Sequence, residues 1–289
     1  MKQIYFYFCV LFLGLSFSVN AKVPEPIDTA KFKCVYQFKF LTDSINMTYR
    51  DKDLYVIQIG DNFTKSYCYK TFYIDSLHNT PDGNDKLTAE LNERFRNAPP
   101  PSSPSYTSYV DNALDFINRG WFQFYVYKDY QKEKITVTDN ISSHYFTYED
   151  ELKPQNWIIL EDTINILGYS CQKAKCSFRD RDWEAWFASD IPIDEGPWKF
   201  YGLPGLIMKL EDIELHYSFK MIGLQQVNEP IYETIRKDAR KINRLSFLRL
   251  KMKVTGTDLV AMDLAKVGIS SYGNEEIYYD YIERDYKEK

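Results

Sequence analysis

Residues 32–40 read Phe-Lys-Cys-Val-Tyr-Gln-Phe-Lys-Phe and set the pattern for most of the chain. Every second residue of this stretch is apolar or aromatic, while Lys33, Gln37 and Lys39 lie between them. Successive side chains of a strand point to opposite faces, so this alternation predicts a strand with one buried and one solvated face. Such strands are typical of antiparallel sheets.

Similar stretches recur along the chain and define its fold class. Further strands are predicted at residues 54–59, 63–69, 122–130, 134–139, 145–148, 157–160, 163–167, 168–178, 183–187, 206–210 and 213–221. A helical period replaces the alternation at residues 86–97 and 231–254. We therefore expect an α+β protein, mainly antiparallel β, with a curved sheet or half-barrel and a few helices, including a C-terminal amphipathic helix. The 17% aromatic content favours the same class.

The N-terminal residues predict export. A short basic start precedes a mostly apolar run from Ile4 to Val19, and Ala21 offers a small residue for signal peptidase. Residues 1–21 are therefore predicted to be a secretory signal peptide, because the run is short for a retained membrane anchor. The expected location is the periplasm, the outer membrane surface or the medium.

Residues 22–289 are expected to form a single domain. The Pro/Ser-rich stretch at 99–105 predicts a surface loop, and the charged, tyrosine-rich tail is expected to fray from about residue 274. No later segment is long and apolar enough to cross a bilayer. The net charge of −5 argues against a nucleic-acid partner.

Residues 196–207, Gly-Pro-Trp-Lys-Phe-Tyr-Gly-Leu-Pro-Gly-Leu-Ile, concentrate three glycines and two prolines of a chain that has only 12 of each. The pair Pro204-Gly205 predicts a type II turn with positive φ at Gly205 and with Leu203 or Leu206 packed beside Trp198. We favour this structural role over a ligand site, because turn-forming residues usually serve folding. The predicted structural motif comprises Gly196, Pro197, Trp198, Gly202, Leu203, Pro204, Gly205, Leu206 and Ile207.

Residues 202–207 carry a family resemblance. The chain resembles the GLPGLI family of exported Bacteroidetes proteins of unknown function, which is named for this hexapeptide. Gly168-Tyr169, Cys171, Lys173-Ala174, Glu184–Phe187, Ile191-Pro192 and Gly196–Trp198 follow in the family's order and spacing. The resemblance implies export but no activity, and it transfers no catalytic residue.

Four cysteines follow the predicted signal peptide: Cys34, Cys68, Cys171 and Cys176. An even number in an exported chain predicts two disulfides. If residues 168–178 form a continuous strand, Cys171 and Cys176 lie about 16 Å apart on opposite faces and must each pair with Cys34 or Cys68. A bend at residues 172–175 would instead allow a Cys171–Cys176 bridge. Metal binding by these two cysteines is the functional alternative.

The resemblance to exported Bacteroidetes proteins also implies a modification. These bacteria glycosylate exported proteins where Asp is followed by Ser or Thr and then by Ala, Ile, Leu, Val, Met or Thr. The candidate O-glycosylation sites are Thr29, Ser44, Ser76 and Thr163.

The familiar catalytic motifs are absent from the sequence. Its three histidines, His78, His144 and His216, lie far apart, and HExxH, GxSxG and phosphate-binding glycine loops do not occur. We therefore predict no catalytic residue, cofactor or metal.

The leading hypothesis is an exported, non-enzymatic protein that binds an apolar or aromatic small molecule, or an envelope protein, on its curved sheet. An exported hydrolase with dispersed carboxylates and a purely structural envelope protein are the alternatives. An apolar cavity would favour the first hypothesis, and a cleft with convergent Asp or Glu would favour the second.

Overall fold

The computed structural model describes residues 25–43, 48–106, 109, 122–141, 144–234, 238–253 and 280–287. The predicted signal peptide and the candidate glycosylation site Ser44 lie outside these residues.

The described residues form one twelve-stranded sheet and three helices. The strands are β1 (Asp28–Asp43), β2 (Thr48–Ile59), β3 (Phe63–Cys68), β4 (Tyr125–Asp129), β5 (Lys134–Ile141), β6 (His144–Glu151), β7 (Ile158–Ile166), β8 (Tyr169–Phe178), β9 (Arg181–Ala188), β10 (Leu206–Asp212), β11 (Tyr217–Ile231) and β12 (Arg240–Lys241). The helices are α1 (Tyr69–His78), α2 (Gly83–Arg96) and α3 (Arg244–Lys253).

The sheet has the order β12-β6-β5-β4-β3-β2-β1-β11-β10-β9-β8-β7. All neighbouring strands are antiparallel except β12 and β6. The end strands β12 and β7 do not pair with each other within the described residues, so the sheet is open. The expected α+β class with a mainly antiparallel sheet is confirmed, while the half-barrel form stays an expectation.

The alternation of residues 32–40 works as predicted, because β1 lies inside the sheet between β2 and β11. Cys34, Tyr36, Phe38 and Phe40 are all fully buried. Phe38 stacks on Phe219 of β11 with ring centroids 4.3 Å apart. Aromatic packing along this face forms the main core.

The opposite face of the sheet carries a second, smaller core. Val56, Tyr67, Tyr125 and Tyr127 form it, and Phe72 of α1 packs against them. Helix α1 thus covers β3 and β4 on the face that points away from the main core. The sequence predicted α2 but not α1, whose buried residues are only Thr71 and Ile74.

The C-terminal helix predicted over residues 231–254 is wrong over much of its length. Strand β11 continues to Ile231, and Arg240–Lys241 forms β12. Helix α3 begins only at Arg244, because the side chain of Asn243 accepts hydrogen bonds from the amides of Leu245 (3.0 Å) and Ser246 (3.4 Å) and so caps its N-terminus.

The hairpin between β10 and β11 turns later than predicted. Residues 213–216 form the turn, and Ile213 and Leu215 are exposed rather than buried in a strand. Leu215 has φ +61°, and the Asp212 carboxylate accepts a hydrogen bond from the amide of Tyr217 at 2.7 Å. This side-chain bond closes the turn and delays the start of β11.

The tail also differs from the expected fraying, at least over residues 280–287. Tyr281, Ile282 and Glu283 are buried in the main core, so this part of the tail is a packed element. Residues 274–279 lie outside the described residues.

Residues 99–105 are mostly exposed and form turns, as a surface loop requires. Among the helices of the described residues, none has the length and apolar character needed to cross a membrane.

Candidate functional site

The motif at residues 196–207 is a buried connection between β9 and β10, and its turn differs from the predicted type II turn. The amide of Gly205 donates to the carbonyl of Leu203 at 2.7 Å, which closes a three-residue turn over Pro204. Positive φ falls on Gly202 (+87°) and not on Gly205. A Cβ at Gly205 would instead lie 2.2 Å from the backbone oxygen of Ala188. Close packing of backbones therefore explains the glycine at this position.

Lys128 of β4 holds the motif from the other side of the core. Its ammonium donates to Glu195 (2.7 Å) and to the carbonyls of Phe200 (2.7 Å) and Gly196 (3.3 Å). All three protons of this buried ammonium are thus satisfied. Burial lowers the pKa of Lys128, and the Glu195 carboxylate opposes that change. Lys128 is a structural clamp on the connection.

Lys199, inside the motif, belongs to a second buried network. Its ammonium contacts Glu283 (2.6 Å) and Asp150 (2.9 Å). The network has three cationic and three anionic side chains: Lys199, Arg179, Arg244, Asp150, Glu283 and Asp285. It joins the motif to β6, α3 and the C-terminal segment. Burial raises the pKa of Asp150, but Lys199 and Arg179 outweigh burial and hold it below its usual value.

Trp198 takes a backbone conformation that bulky residues rarely adopt, with φ +57°. Its indole is buried against Phe178 and Phe200, with centroids 5.8 and 5.6 Å apart. Packing holds this conformation in place. Leu203 and Leu206 are buried in the same core, as predicted. The motif is thus closely packed, and its purely structural role stays a prediction.

The predicted disulfides are not formed, since Cys34, Cys68, Cys171 and Cys176 are all free and buried. Strand β8 is continuous, so the local Cys171–Cys176 bridge is excluded as the geometry required. Both cysteines are buried and contact the main core. Cys34 of β1 and Cys68 of β3 are separated by β2, and at least three strands lie between β8 and β1. No pair of these cysteines is therefore adjacent within the sheet.

Three of the candidate glycosylation sites are exposed: Thr29 in β1, Ser76 in α1 and Thr163 in β7. Exposure permits modification at each of them. The structure does not gather these three residues into one site.

Asp212, Glu214 and His216 bring three potential metal-ligand atoms within 4.8 Å of one another. Arg181 lies 2.8 Å from Asp212, and Arg284 binds Glu214. The guanidinium groups already supply the positive charge that a cation would bring. We interpret this group as an ion-pair network that fastens the C-terminal segment to β9 and β10.

A cavity of about 420 Å³ lies between α1 and the strands β4, β5 and β6. Asp75, Asp139 and Asp238 are among its lining residues, but the carboxylate of Asp139 is turned to the main core, where it contacts Lys251 and Tyr281. The remaining lining residues are mostly polar or tyrosine: Thr71, His78, Asn79, Gln123, Tyr125, Thr138, Tyr145, Thr234 and Ala239. Its volume falls within the usual range of about 300–1,000 Å³ for small-molecule pockets. This cavity is the candidate functional site.

Lys65 of β3 positions one wall of the cavity. Its ammonium donates to Thr234 Oγ1 (2.7 Å) and to the carbonyl of Tyr232 (3.0 Å). The same ammonium lies 5.4–5.9 Å from the ring centroids of Tyr67, Phe72, Tyr125 and Tyr127. Such rings attract a cation. Lys65 therefore anchors the segment after β11, which contributes Thr234 to the cavity.

Structural contacts hold two of the lining carboxylates. The hydroxyl of Tyr125 donates to Asp75 at 2.8 Å. Asp139, fully buried, contacts the ammonium of Lys251 at 2.5 Å and the hydroxyl of Tyr281 at 3.2 Å. Asp139 also accepts a hydrogen bond from the amide of Asn140 at 2.7 Å. These contacts fix both carboxylates in place, and Asp75 together with Asp238 brings negative charge to the cavity.

Sequence reasoning missed this cavity. Of its lining residues it named only His78, as an isolated histidine. The lining comes from segments between Thr71 and Ala239 that the pairing of β4 with β3 and β5 brings together. No local pattern marks residues assembled in this way.

Comparisons with known proteins give limited guidance. Residues 178–209, from the end of β8 into β10, match a family described as "Protein of unknown function (Porph_ging)". Members of this Bacteroidetes-type family are typically exported proteins. The match is short and does not confirm the GLPGLI family. No curated protein matches the chain.

Two solved structures of PNGF-II are similar to this chain. One, in space group P21, has 11% identity and a TM-score of 0.48; the other, in space group C2, has 12% identity and a TM-score of 0.46. Both alignments cover 78% of this chain and 33% of PNGF-II, so the chain spans about a third of that length.

Proposed function

We propose that this protein is an exported binding protein that holds a small, hydroxyl-rich, cationic ligand in the cavity beneath α1. Asp75 and Asp238 in the lining of this cavity carry the proposal, because they bring negative charge to it. Carboxylates accept hydrogen bonds from hydroxyl and ammonium groups, and charge-assisted bonds of this kind are the stronger ones.

The proposal replaces the apolar ligand expected from the aromatic composition. The described strand faces use their aromatic rings in packing: Phe38, Phe40, Phe122 and Phe124 contact one another at centroid distances of 4.7–5.4 Å. Tyr125 and Tyr145 line the cavity instead. Their rings can pack against the apolar face of a sugar-like molecule.

A binding experiment tests the ligand class. We would measure glucosamine, glucose and the apolar probe 1-anilinonaphthalene-8-sulfonate by calorimetry at low salt. Glucosamine should bind most tightly, because it offers both hydroxyls and an ammonium to the carboxylates. Binding of the apolar probe alone would contradict the proposal.

A variant locates the binding to this cavity. Asp75→Asn keeps the shape and the acceptor for Tyr125 but removes one negative charge. It should weaken glucosamine binding at least tenfold without changing the melting temperature. Asp190→Asn, at an exposed position outside the cavity lining, is the matched control and should bind as the unchanged protein does.

The same two aspartates, Asp75 and Asp238, favour one alternative function, a hydrolase. To separate the two functions, we would identify a ligand that co-purifies with the protein, incubate it with the protein and then measure its mass by mass spectrometry. A binding protein leaves the mass of the ligand unchanged. A hydrolase gives two fragments whose masses add up to the ligand plus one water.

A further inference from the structure

Strand β7 is an exposed edge of the sheet. It ends the strand order and pairs only with β8 among the described residues. Eight of its nine residues are at least partly exposed, with Ile166 the buried one. An edge strand presents unpaired N–H and C=O groups that can accept another strand.

The edge carries more apolar surface than an edge strand usually does. Ile158 is 66% exposed and Ile159 is 46% exposed, and being neighbours they point to opposite faces. Ile164 and Leu167 are also exposed. Apolar side chains on both faces of an unpaired edge would gain from burial by an added strand.

The centre of β7 is acidic. Glu161 and Asp162 are both exposed, and neither forms an ion pair within the described residues. The pairing of β7 with β8 is irregular here. Ile159 pairs with Ala174 and Thr163 pairs with Gln172, so four residue steps in β7 lie opposite two in β8. This bulge leaves Glu161 and Asp162 without register partners in β8.

The charge distribution argues against a second copy as the occupant. Two antiparallel β7 strands that pair over their full length, about the central residue Asp162, would place Asp162 opposite its own copy. Like charges directly opposite in a sheet are destabilising. A strand with basic residues at its centre meets no such repulsion.

We propose that β7 is a docking edge for an extended segment of a partner protein in which apolar residues alternate with Lys or Arg. The partner strand pairs with the edge of β7, its apolar residues cover Ile158 and Ile164 on one face, and its basic side chains contact the acidic centre formed by Glu161 and Asp162. This inference does not depend on the cavity.

A pair of peptides tests the proposal. We would titrate the protein with a capped nine-residue peptide that alternates Val with Lys, and with its Val-Glu counterpart, at low salt. The host should lack protein O-glycosylation, and an intact mass should confirm that Thr163 carries no glycan. The Val-Lys peptide should bind and protect amides of residues 158–166 from hydrogen exchange, and the Val-Glu peptide should bind at least tenfold more weakly.

Matched charge reversals separate docking from general attraction of a basic peptide to an acidic protein. The double variant Glu161→Lys with Asp162→Lys should lose Val-Lys binding at least tenfold and gain affinity for Val-Glu. The control, Asp85→Lys with Glu93→Lys on the exposed face of α2, has the same net charge and should keep Val-Lys binding.

Three results would overturn the proposal. The first is equal loss of binding in both double variants, and the second is protection from exchange that lies outside β7. The third is a dimer, detected by analytical ultracentrifugation, whose stability changes in the Glu161→Lys/Asp162→Lys variant. That result would mean that a second copy of this chain occupies the edge.

Discussion

At the scale of single residues, Gly205 shows how the backbone selects an amino acid. The atom that a side chain would meet is a backbone oxygen, Ala188 O, which cannot rotate away. Gly205→Ala should therefore destabilise the protein by about 2–3 kcal/mol through overpacking. Urea unfolding of the variant measures this loss.

Gly223→Ala is the control for that substitution. Its new Cβ would lie 3.8 Å from Val35, an ordinary contact, in strand β11. We expect a change within about 0.5 kcal/mol, as for an unremarkable surface site. Equal losses in the two variants would mean that close approach at residue 205 is not the reason for the glycine.

Lys65 gives a prediction about pH. Burial lowers its pKa from 10.5 to about 8. Between these values the unfolded chain binds a proton at Lys65 that the folded protein has released, so the lysine becomes less unfavourable to folding as pH rises. The free energy of unfolding of Lys65→Met, relative to the unchanged protein, should fall by about 3 kcal/mol from pH 7.5 to 10.5.

Unfolding in urea at three pH values in this window checks the prediction. Comparing variant with parent removes the effect of other titrating groups. Lys220→Met, at an exposed position of β11, is the control and should keep a constant difference across the window. A constant difference for Lys65→Met as well would contradict the buried, aromatic-lined environment.

At the scale of elements, the C-terminal segment 280–287 behaves as part of the core. Ile282 is fully buried, and its neighbour Glu283 binds Lys199. Ile282→Ala should cost about 2–4 kcal/mol, which is usual for truncation of a buried isoleucine. A fraying tail would show no loss of stability, so thermal unfolding distinguishes the two descriptions.

Elements with local patterns could be predicted from the sequence, and others could not. Apolar and polar residues alternate in the strand at residues 32–40, because its successive side chains lie in the core and in solvent by turns. In helix α2 the apolar residues Leu87, Leu91 and Phe95 recur every four positions. The tail looked exposed because it is charged, but those charges meet Lys199, Arg244 and Arg181 from distant segments. Long-range pairing of charge leaves no periodic signal.

At the scale of the whole molecule, the burial of the four cysteines predicts that their thiols react slowly with thiol reagents. Burial raises the pKa of Cys34 and of Cys176 to about 12. Because the thiolate is the reactive form, Ellman's reagent at pH 8 should label none of them in the folded protein. Four thiols should react in guanidinium if the chain begins after Ala21.

Reduction offers an independent check on the free thiols. Dithiothreitol should leave the melting temperature unchanged, since no disulfide is available to break. If fewer than four thiols react in guanidinium and reduction lowers the melting temperature, the protein contains disulfides, as predicted from the sequence.

The position of β1 has a consequence for the order of folding during synthesis. Asp28 pairs with Ile231, and Phe38 pairs with Phe219, so the first strand of the sheet obtains one of its two neighbours only after about 200 further residues have been made. Contacts so distant along the chain close slowly. A chain emerging from the ribosome therefore cannot complete its core until β11 has been made, and this late closure is compatible with the proposed export of the protein before it folds.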